Sequence, residues 1–201
     1  VQGVACGMES TAANNRPTID AGPDKFLPRS TPFALTPGSL SDPDGDPLLI
    51  NWEQMDKEIA VMPPSATATK GPMLQSRPPV SNPSRTIPAI DDLLSNRMPA
   101  WEVVPASNRE MNMRVTVRDQ QGCASEDDVK LTFRNGPFRV LFPNSSGEFE
   151  GNSTMEVRWS PASTNAAPIS CSQVNIWLSA DGGLTFSLPL AMNTPNGGQG
   201  N

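Results

Sequence analysis

Hydrophobic and polar residues alternate in short stretches along the chain, and the clearest two stretches are neighbours in sequence. Apolar side chains recur at every second position in 112–119 and again in 128–133. Two such stretches joined through a Gln121-Gly122 turn predict an antiparallel hairpin. A third alternation, at 48–54, predicts a strand whose inward face carries Trp52.

A second series of alternating stretches follows the tripeptide Asn135-Gly136-Pro137, whose composition is typical of a break between domains. Residues 138–142 open this series. Residues 155–159 come next and place Trp159 on their apolar face. Residues 173–179 then direct Leu178 inward, together with the two other apolar residues of that phase.

Proline limits what can lie between these stretches. The chain has 22 Pro and 15 Gly in 201 residues, and proline removes the N–H that a helix interior needs. The connection 56–105 is too long for an ordinary loop. It therefore predicts some local structure, with a short strand at 85–88 and one or two helical turns at 90–94.

The patterns predict an all-β fold of two consecutive immunoglobulin-like or PKD-like β-sandwich modules, with a long Pro-rich insertion in the first. Residues 1–15 are interpreted as a linker from a preceding domain, 16–135 as the first module and 136–201 as the second. About 64 residues remain from Phe138, whereas a complete sandwich has about seven strands in roughly 100 residues. We therefore expect the second module to be truncated.

Charge and composition exclude several classes of function. The net charge is -6, which disfavours a nucleic-acid partner. No apolar stretch approaches the roughly 20 residues that span a bilayer. The chain has no His, so Ser-His-Asp, Cys-His and histidine-zinc chemistry are closed to it. We expect no enzyme activity and no zinc in this chain.

Three cysteines leave their pairing open. Cys6, Cys123 and Cys171 have no C-x-x-C spacing that would suit zinc. They fit free thiols. A bridge between Cys6 and Cys123 is the alternative if the N-terminal segment folds back on the first module.

Asp42, Asp44 and Asp46 alternate in the sequence Asp-Pro-Asp-Gly-Asp, which is a candidate Ca²⁺ site because hard cations prefer carboxylate oxygens. Glu53 follows Asp42 at the offset of the bidentate Glu of an EF-hand. The EF-hand itself is excluded, since its sixth loop position requires Gly and is Pro47 here. A solvated acidic turn remains the alternative.

A second motif, Ser179 to Phe186, matches the Asp-box pattern S-x-D-x-G-x-T-(W/F). We interpret it as a structural turn in which Asp181 accepts backbone N–H groups near Gly183 and Phe186 packs beneath. A propeller would need the motif repeated at blade spacing, and it occurs once.

Taken together, several stretches resemble the non-catalytic C-terminal region of bacterial secreted reprolysin-like, or metzincin, zinc metalloproteases, with a PKD-like or cadherin-like first module. Their order and spacing agree along most of residues 14–197. The matching stretches are 14–24, 31–36, 42–46, 52–56, 136–138 and 174–183.

This resemblance implies a secreted or cell-surface protein whose catalytic domain lies upstream in the same chain. It also implies a Ca²⁺ site at the acidic loop. Asn15, from the segment that leads into the module, and Asp119, at the end of a strand near the C-terminal end of the module, would complete the ligands of that site. The expected function is non-catalytic: to stabilise or position the protease, or to bind protein substrate or extracellular matrix. A cell-surface adhesin or structural spacer is the alternative.

Overall fold

The computed structural model describes residues 14–145, 147–150 and 153–200 of the chain. It confirms the predicted all-β, sandwich-like fold. Within these residues the regular structure consists of strands and one five-residue helix, α1 (Ile90–Leu94). No helix in the described ranges is long and apolar enough to cross a membrane.

The largest sheet has four strands, in the order β2 (Lys25–Pro28), β8 (Ala124–Arg134), β7 (Arg109–Arg118) and β5 (Leu49–Gln54). β7 and β8 form the predicted hairpin; β7 begins three residues earlier than expected, and β8 extends beyond its expected bounds at both ends. β5 pairs antiparallel with β7, whereas β2 pairs parallel with β8. The alternating pattern therefore predicted the centre of this sheet correctly.

Two smaller pairs complete the first region, which we define as residues 14–135. β1 (Thr18–Asp20) pairs with β4 (Ser39–Ser41), and β3 (Phe33–Leu35) pairs with β6 (Arg85–Ile87), both antiparallel. β6 and α1 match the predicted strand and helical turn in the long connection. β2 and β4 were not predicted.

The core of the first region lies between the four-stranded sheet and the β3–β6 pair. Phe33 and Phe133 meet edge to face with ring centroids 5.4 Å apart, a geometry that aromatic pairs favour. Trp52 is 2% exposed, as its strand phase predicted. The apolar face of the β7–β8 hairpin is buried throughout: Met111, Met113, Val115, Val117, Val129, Leu131 and Phe133.

Buried and half-buried polar side chains organise the long connection. Gln54 Oε1 accepts the backbone N–H groups of residues 73–74 at 2.6 and 3.1 Å. Arg109, whose side chain is fully buried, donates to two backbone carbonyls of the connection. Glu102 is 1% exposed and accepts the N–H of Ala89 at 2.9 Å. Because buried polar groups need partners, these contacts hold the connection in place.

The second region, residues 136–200, has two small sheets. β9 (Arg139–Phe142), β10 (Val157–Ser160) and β13 (Gln199–Gly200) form one sheet with β10 in the middle. β11 (Gln173–Leu178) and β12 (Leu188–Pro195) form the other, with irregular register.

Trp159 is the main buried residue of this second region. It is 4% exposed, and its indole N–H donates to Asn196 Oδ1 at 2.8 Å. Asn196 in turn donates to Thr164 Oγ1 at 3.0 Å. The predicted burial of Trp159 is confirmed. The inward placement of Leu178 is wrong, since it is 47% exposed. Leu178 is the last residue of β11, whereas Val174 and Ile176 on the same face are half-buried.

Candidate cation site

The acidic loop, residues 42–47, joins β4 to β5. Carboxylate oxygens of Asp42, Asp44 and Asp46 all lie within 4.8 Å of one another. Gly45 has φ +77°, a conformation that costs glycine little and allows the chain to turn between the second and third carboxylates. The alternation read from the sequence therefore corresponds to a convergent group of side chains.

Asp42 shapes the loop from within. Its Oδ1 accepts the backbone N–H groups of Asp44 at 2.9 Å and Asp46 at 3.0 Å. Its Oδ2 is buried and has no hydrogen-bond partner in the described residues. A buried carboxylate oxygen without a donor is costly, and a bound cation would satisfy it.

The segment that leads into β1, which we call the lead-in segment (residues 14–17), contacts the acidic loop directly. The backbone N–H of Asn15 donates to Asp44 Oδ2 at 2.6 Å, and its side-chain amide donates to Asp44 Oδ1 at 3.0 Å. Asn15 thus lies at the site, as the resemblance implied, with its amide serving as a donor to Asp44.

Asp119 lies at the end of β7 and is fully buried. Its Oδ1 accepts three backbone N–H groups of the hairpin turn, from residues 121–123, at 2.8 to 3.0 Å. Its Oδ2 accepts the side-chain amide of Asn14 at 2.8 Å. The sequence did not single out Asn14, although its position beside Asn15 was a usable signal.

The carboxyl groups at this site are electrostatically distinct. Burial raises the pKa of Asp46 above 3.8, and the nearby charges of Asp42, Asp44 and Asp119 raise it further. Burial also acts to raise the pKa of Asp119, but hydrogen bonds from Asn14 and the hairpin turn outweigh it and leave that pKa lowered. The loop therefore concentrates negative charge that a cation would neutralise.

Glu53 does not join this group. Its Oε1 accepts the hydroxyl of Ser76 at 2.6 Å, and it is not among the carboxylates that converge at the loop. Its inclusion from the EF-hand offset is wrong because the residues after Pro47 form β5, whose extended backbone carries Glu53 away along the sheet.

The Asp-box turn has the expected hydrogen bonds. Asp181 accepts the Ser179 hydroxyl at 2.6 Å and both the N–H and the hydroxyl of Thr185, at 2.9 and 2.6 Å. These bonds lower the pKa of Asp181 to about 2. Gly183 has φ +95° and donates its N–H to Ser179 Oγ. The expected packing of Phe186 beneath the turn is wrong, because Phe186 is 55% exposed.

The two cysteines in the described part of the chain belong to no group of three or more metal-ligating side chains. Cys123 is half-buried beside the Asp119 turn, and Cys171 is exposed. Cys6 lies outside the described residues, so its bridge to Cys123 stays a prediction.

No family model and no curated protein matches this chain. Among solved structures, it is similar to a nucleoside hydrolase-related hypothetical protein from Saccharophagus degradans that is associated with carbohydrate metabolism, at 16% identity and a TM-score of 0.37. The similarity covers 60% of this chain and 26% of that protein. Neither the fold nor the function of this chain follows from a similarity of this size.

Proposed function

We propose that this chain is a non-catalytic accessory region of a secreted bacterial zinc metalloprotease, and that Ca²⁺ fixes its lead-in segment to the first region. The resemblance of the sequence supports the first part of the proposal. The contact between Asn15 and Asp44 within a group of converging carboxylates supports the second. A cation bound there would tie whatever precedes residue 14 to the first sheet.

The available oxygens suit a hard divalent cation. Asp42 Oδ2, which has no partner among the described residues, and the carboxylates of Asp44 and Asp46 would form the centre of the site. Asp119 lies outside this group of three, but its charge acts on Asp46. Asp119 Oδ2 and the Asn15 carbonyl are therefore the candidates to complete the site. Ca²⁺ takes six to eight oxygens in flexible geometry, whereas Mg²⁺ requires a near-ideal octahedron. We therefore favour Ca²⁺, with water supplying the remaining ligands.

Calcium-dependent melting tests the site. A ligand that binds only the folded state at a hundredfold excess over Kd stabilises it by about 2.7 kcal/mol. We expect the melting temperature of the wild-type chain to be about 5 to 10 °C higher in Ca²⁺ than in EGTA. Asp44→Asn should abolish most of that difference. The matched control is Asp91→Asn, an exposed carboxylate on α1, which should retain it.

The parent reading frame tests the larger assignment. An H-E-x-x-H-x-x-G-x-x-H motif encoded upstream of Val1 would support an accessory region, because that helix supplies the zinc ligands and the general base that this His-free chain lacks. Tandem D-P-D-G-D repeats upstream would instead support the cell-surface adhesin.

We also propose that the chain alone catalyses no reaction. Casein, gelatin, ester and glycoside substrates should all remain intact, since no histidine base or zinc triad can form. Turnover that copurifies with the chain and disappears when one of its carboxylates is replaced would refute this.

A further inference from the structure

A cavity of about 390 Å³ lies between the outer edge of β5 and residues 77–90 of the long connection. Its size falls in the range of small-molecule sites, about 300 to 1,000 Å³. Apolar groups, including Ile50 and Val80, form much of its lining, and Arg77 and Arg85 add two positive charges. We call this cavity the arginine recess. It lies apart from the acidic loop and uses none of its carboxylates.

The two arginines of the recess have unused donors. Glu102, which is 1% exposed, accepts Arg77 at 2.7 Å and Arg85 at 2.8 Å. Arg85, whose side chain is nine-tenths buried, also donates to the carbonyl of Gln75 at 3.0 Å. The Nε of each arginine is buried without a partner in the described residues. A guanidinium has five N–H donors, and among the described residues Arg77 donates to Glu102 alone.

A backbone donor faces the same side. Ile50 exchanges both of its backbone hydrogen bonds with Val80 across the outer edge of β5, at 2.7 and 3.0 Å. Backbone groups alternate along a strand, so Trp52 presents its N–H and carbonyl to that same edge. Arg85 donates to the Trp52 carbonyl. The Trp52 N–H has no protein acceptor among the described residues.

We propose that the arginine recess binds an organic monocarboxylate with an apolar body, such as the C-terminal residue of a peptide. Two guanidinium groups and the Glu102 carboxylate leave one net positive charge, which matches one carboxylate. The apolar lining would hold the body of the ligand. Arg77 is the anion contact, because its side chain is 38% exposed and has donors to spare. A phosphate dianion would exceed the available positive charge.

N-acetyl-leucine and N-acetyl-leucinamide form a matched pair of probes, with one apolar body and a carboxylate or a neutral amide. The full chain is titrated with each to millimolar concentration, and backbone and arginine Nε–H resonances are followed by nuclear magnetic resonance. We expect saturable shifts at Trp52 and at both arginine Nε groups. The acid should bind about tenfold or more tightly than the amide. A hydrogen bond to a charged group contributes about 1.5 kcal/mol or more, which corresponds to about tenfold in affinity.

Three variants locate the binding. Arg77→Gln should weaken binding of N-acetyl-leucine about tenfold or more. Ala89→Leu leaves both arginines in place and fills the recess, and should weaken it similarly. Arg97→Gln is the control, because Arg97 lies in the same connection, pairs with Asp92 and does not line the recess. It should change affinity less than about twofold.

Several results would overturn the proposal: no saturable shift with N-acetyl-leucine, equal affinity for acid and amide, or wild-type affinity in Ala89→Leu. If inorganic phosphate displaces N-acetyl-leucine at equal concentration, the recess is a general anion site and the monocarboxylate proposal is wrong. If Arg77→Gln fails to fold, the Ala89→Leu variant and the comparison of N-acetyl-leucine with N-acetyl-leucinamide still test the proposal.

Discussion

The first and second regions are built from similar strands but are packed very differently. In the first, a hairpin of 10- and 11-residue strands buries an unbroken apolar face against the β3–β6 pair. In the second, Trp159 is the one buried hydrophobic side chain among the described residues. Five large apolar residues, Leu184, Phe186, Leu188, Leu190 and Met192, are each 45 to 57% exposed.

This difference shows that alternation predicts strands better than it predicts burial. The periodicity around β11 and β12 matches a half-buried sheet, yet burial also requires a second layer over the apolar face. The first region supplies that layer, whereas in the second the buried tryptophan donates to Asn196, which in turn donates to Thr164. Exposed apolar patches of this kind mark surfaces that another element or molecule can cover.

The largest expected effect comes from the core of the first region. Trp52→Ala should lower the free energy of unfolding by about 3 to 5 kcal/mol, because it removes a large side chain that is 2% exposed. Urea unfolding followed by circular dichroism measures the change. Trp177→Ala is the matched control. Trp177 is 42% exposed, and its loss should cost about 0.5 kcal/mol or less. Equal losses of unfolding free energy at the two positions would contradict the difference in packing between the two regions.

Substitution in the polar core of the second region should have a smaller but measurable effect on the free energy of unfolding. Asn196→Ala leaves the buried indole N–H of Trp159 without its acceptor and should cost about 1 to 3 kcal/mol. Asn175→Ala is the control, because this exposed amide accepts a single backbone bond from Asn193. If both variants unfold at the same urea concentration, the hydrogen bonds around Trp159 contribute no more to stability than an exposed amide does.

The exposed apolar face should tolerate a polar residue. Leu190→Gln is expected to change the free energy of unfolding by about 0.5 kcal/mol or less, since Leu190 is 53% exposed. The same urea experiment measures it. A loss above about 2 kcal/mol would indicate that this face is covered in solution.

The smallest effect concerns the Asp-box turn and pH. The pKa of Asp181 falls from 3.8 to about 2 on folding, so its contribution is present above about pH 4 and is lost as pH falls toward 2. The difference in melting temperature between wild type and Asp181→Ala should therefore shrink from about pH 5 to about pH 2. A difference that stays constant over this range would mean that the turn does not hold the carboxylate in its ionised form.

Much of the fold followed from periodicity and turn residues. The β7–β8 hairpin, the Trp52 and Trp159 strands, β6 and α1 all carry local signals that the structure matches. β2 and β4 have three or four residues each and are partly exposed, so they show no apolar period. A strand this short is defined by its partner, which the local sequence does not reveal.

Sequence patterns also could not predict how the long connection folds. It depends on Gln54, Arg109 and Glu102, three polar residues that are usually exposed. Here each is held by backbone groups far away in sequence. At the candidate cation site, the spacing of Asp42, Asp44 and Asp46 predicted their convergence, whereas the EF-hand offset misplaced Glu53 because β5 begins immediately after the loop.

Isothermal titration of the full chain with Ca²⁺ tests the central claim most directly, because it reports binding without reference to unfolding. The account predicts one Ca²⁺ per chain, with the heat of binding retained in Asp91→Asn and lost in Asp44→Asn. It also predicts that Ca²⁺ shifts the amide resonance of Asn15, since that N–H donates to Asp44 at 2.6 Å. No heat from the wild-type chain, or equal heat from wild type and Asp44→Asn, would contradict a calcium site at the acidic loop.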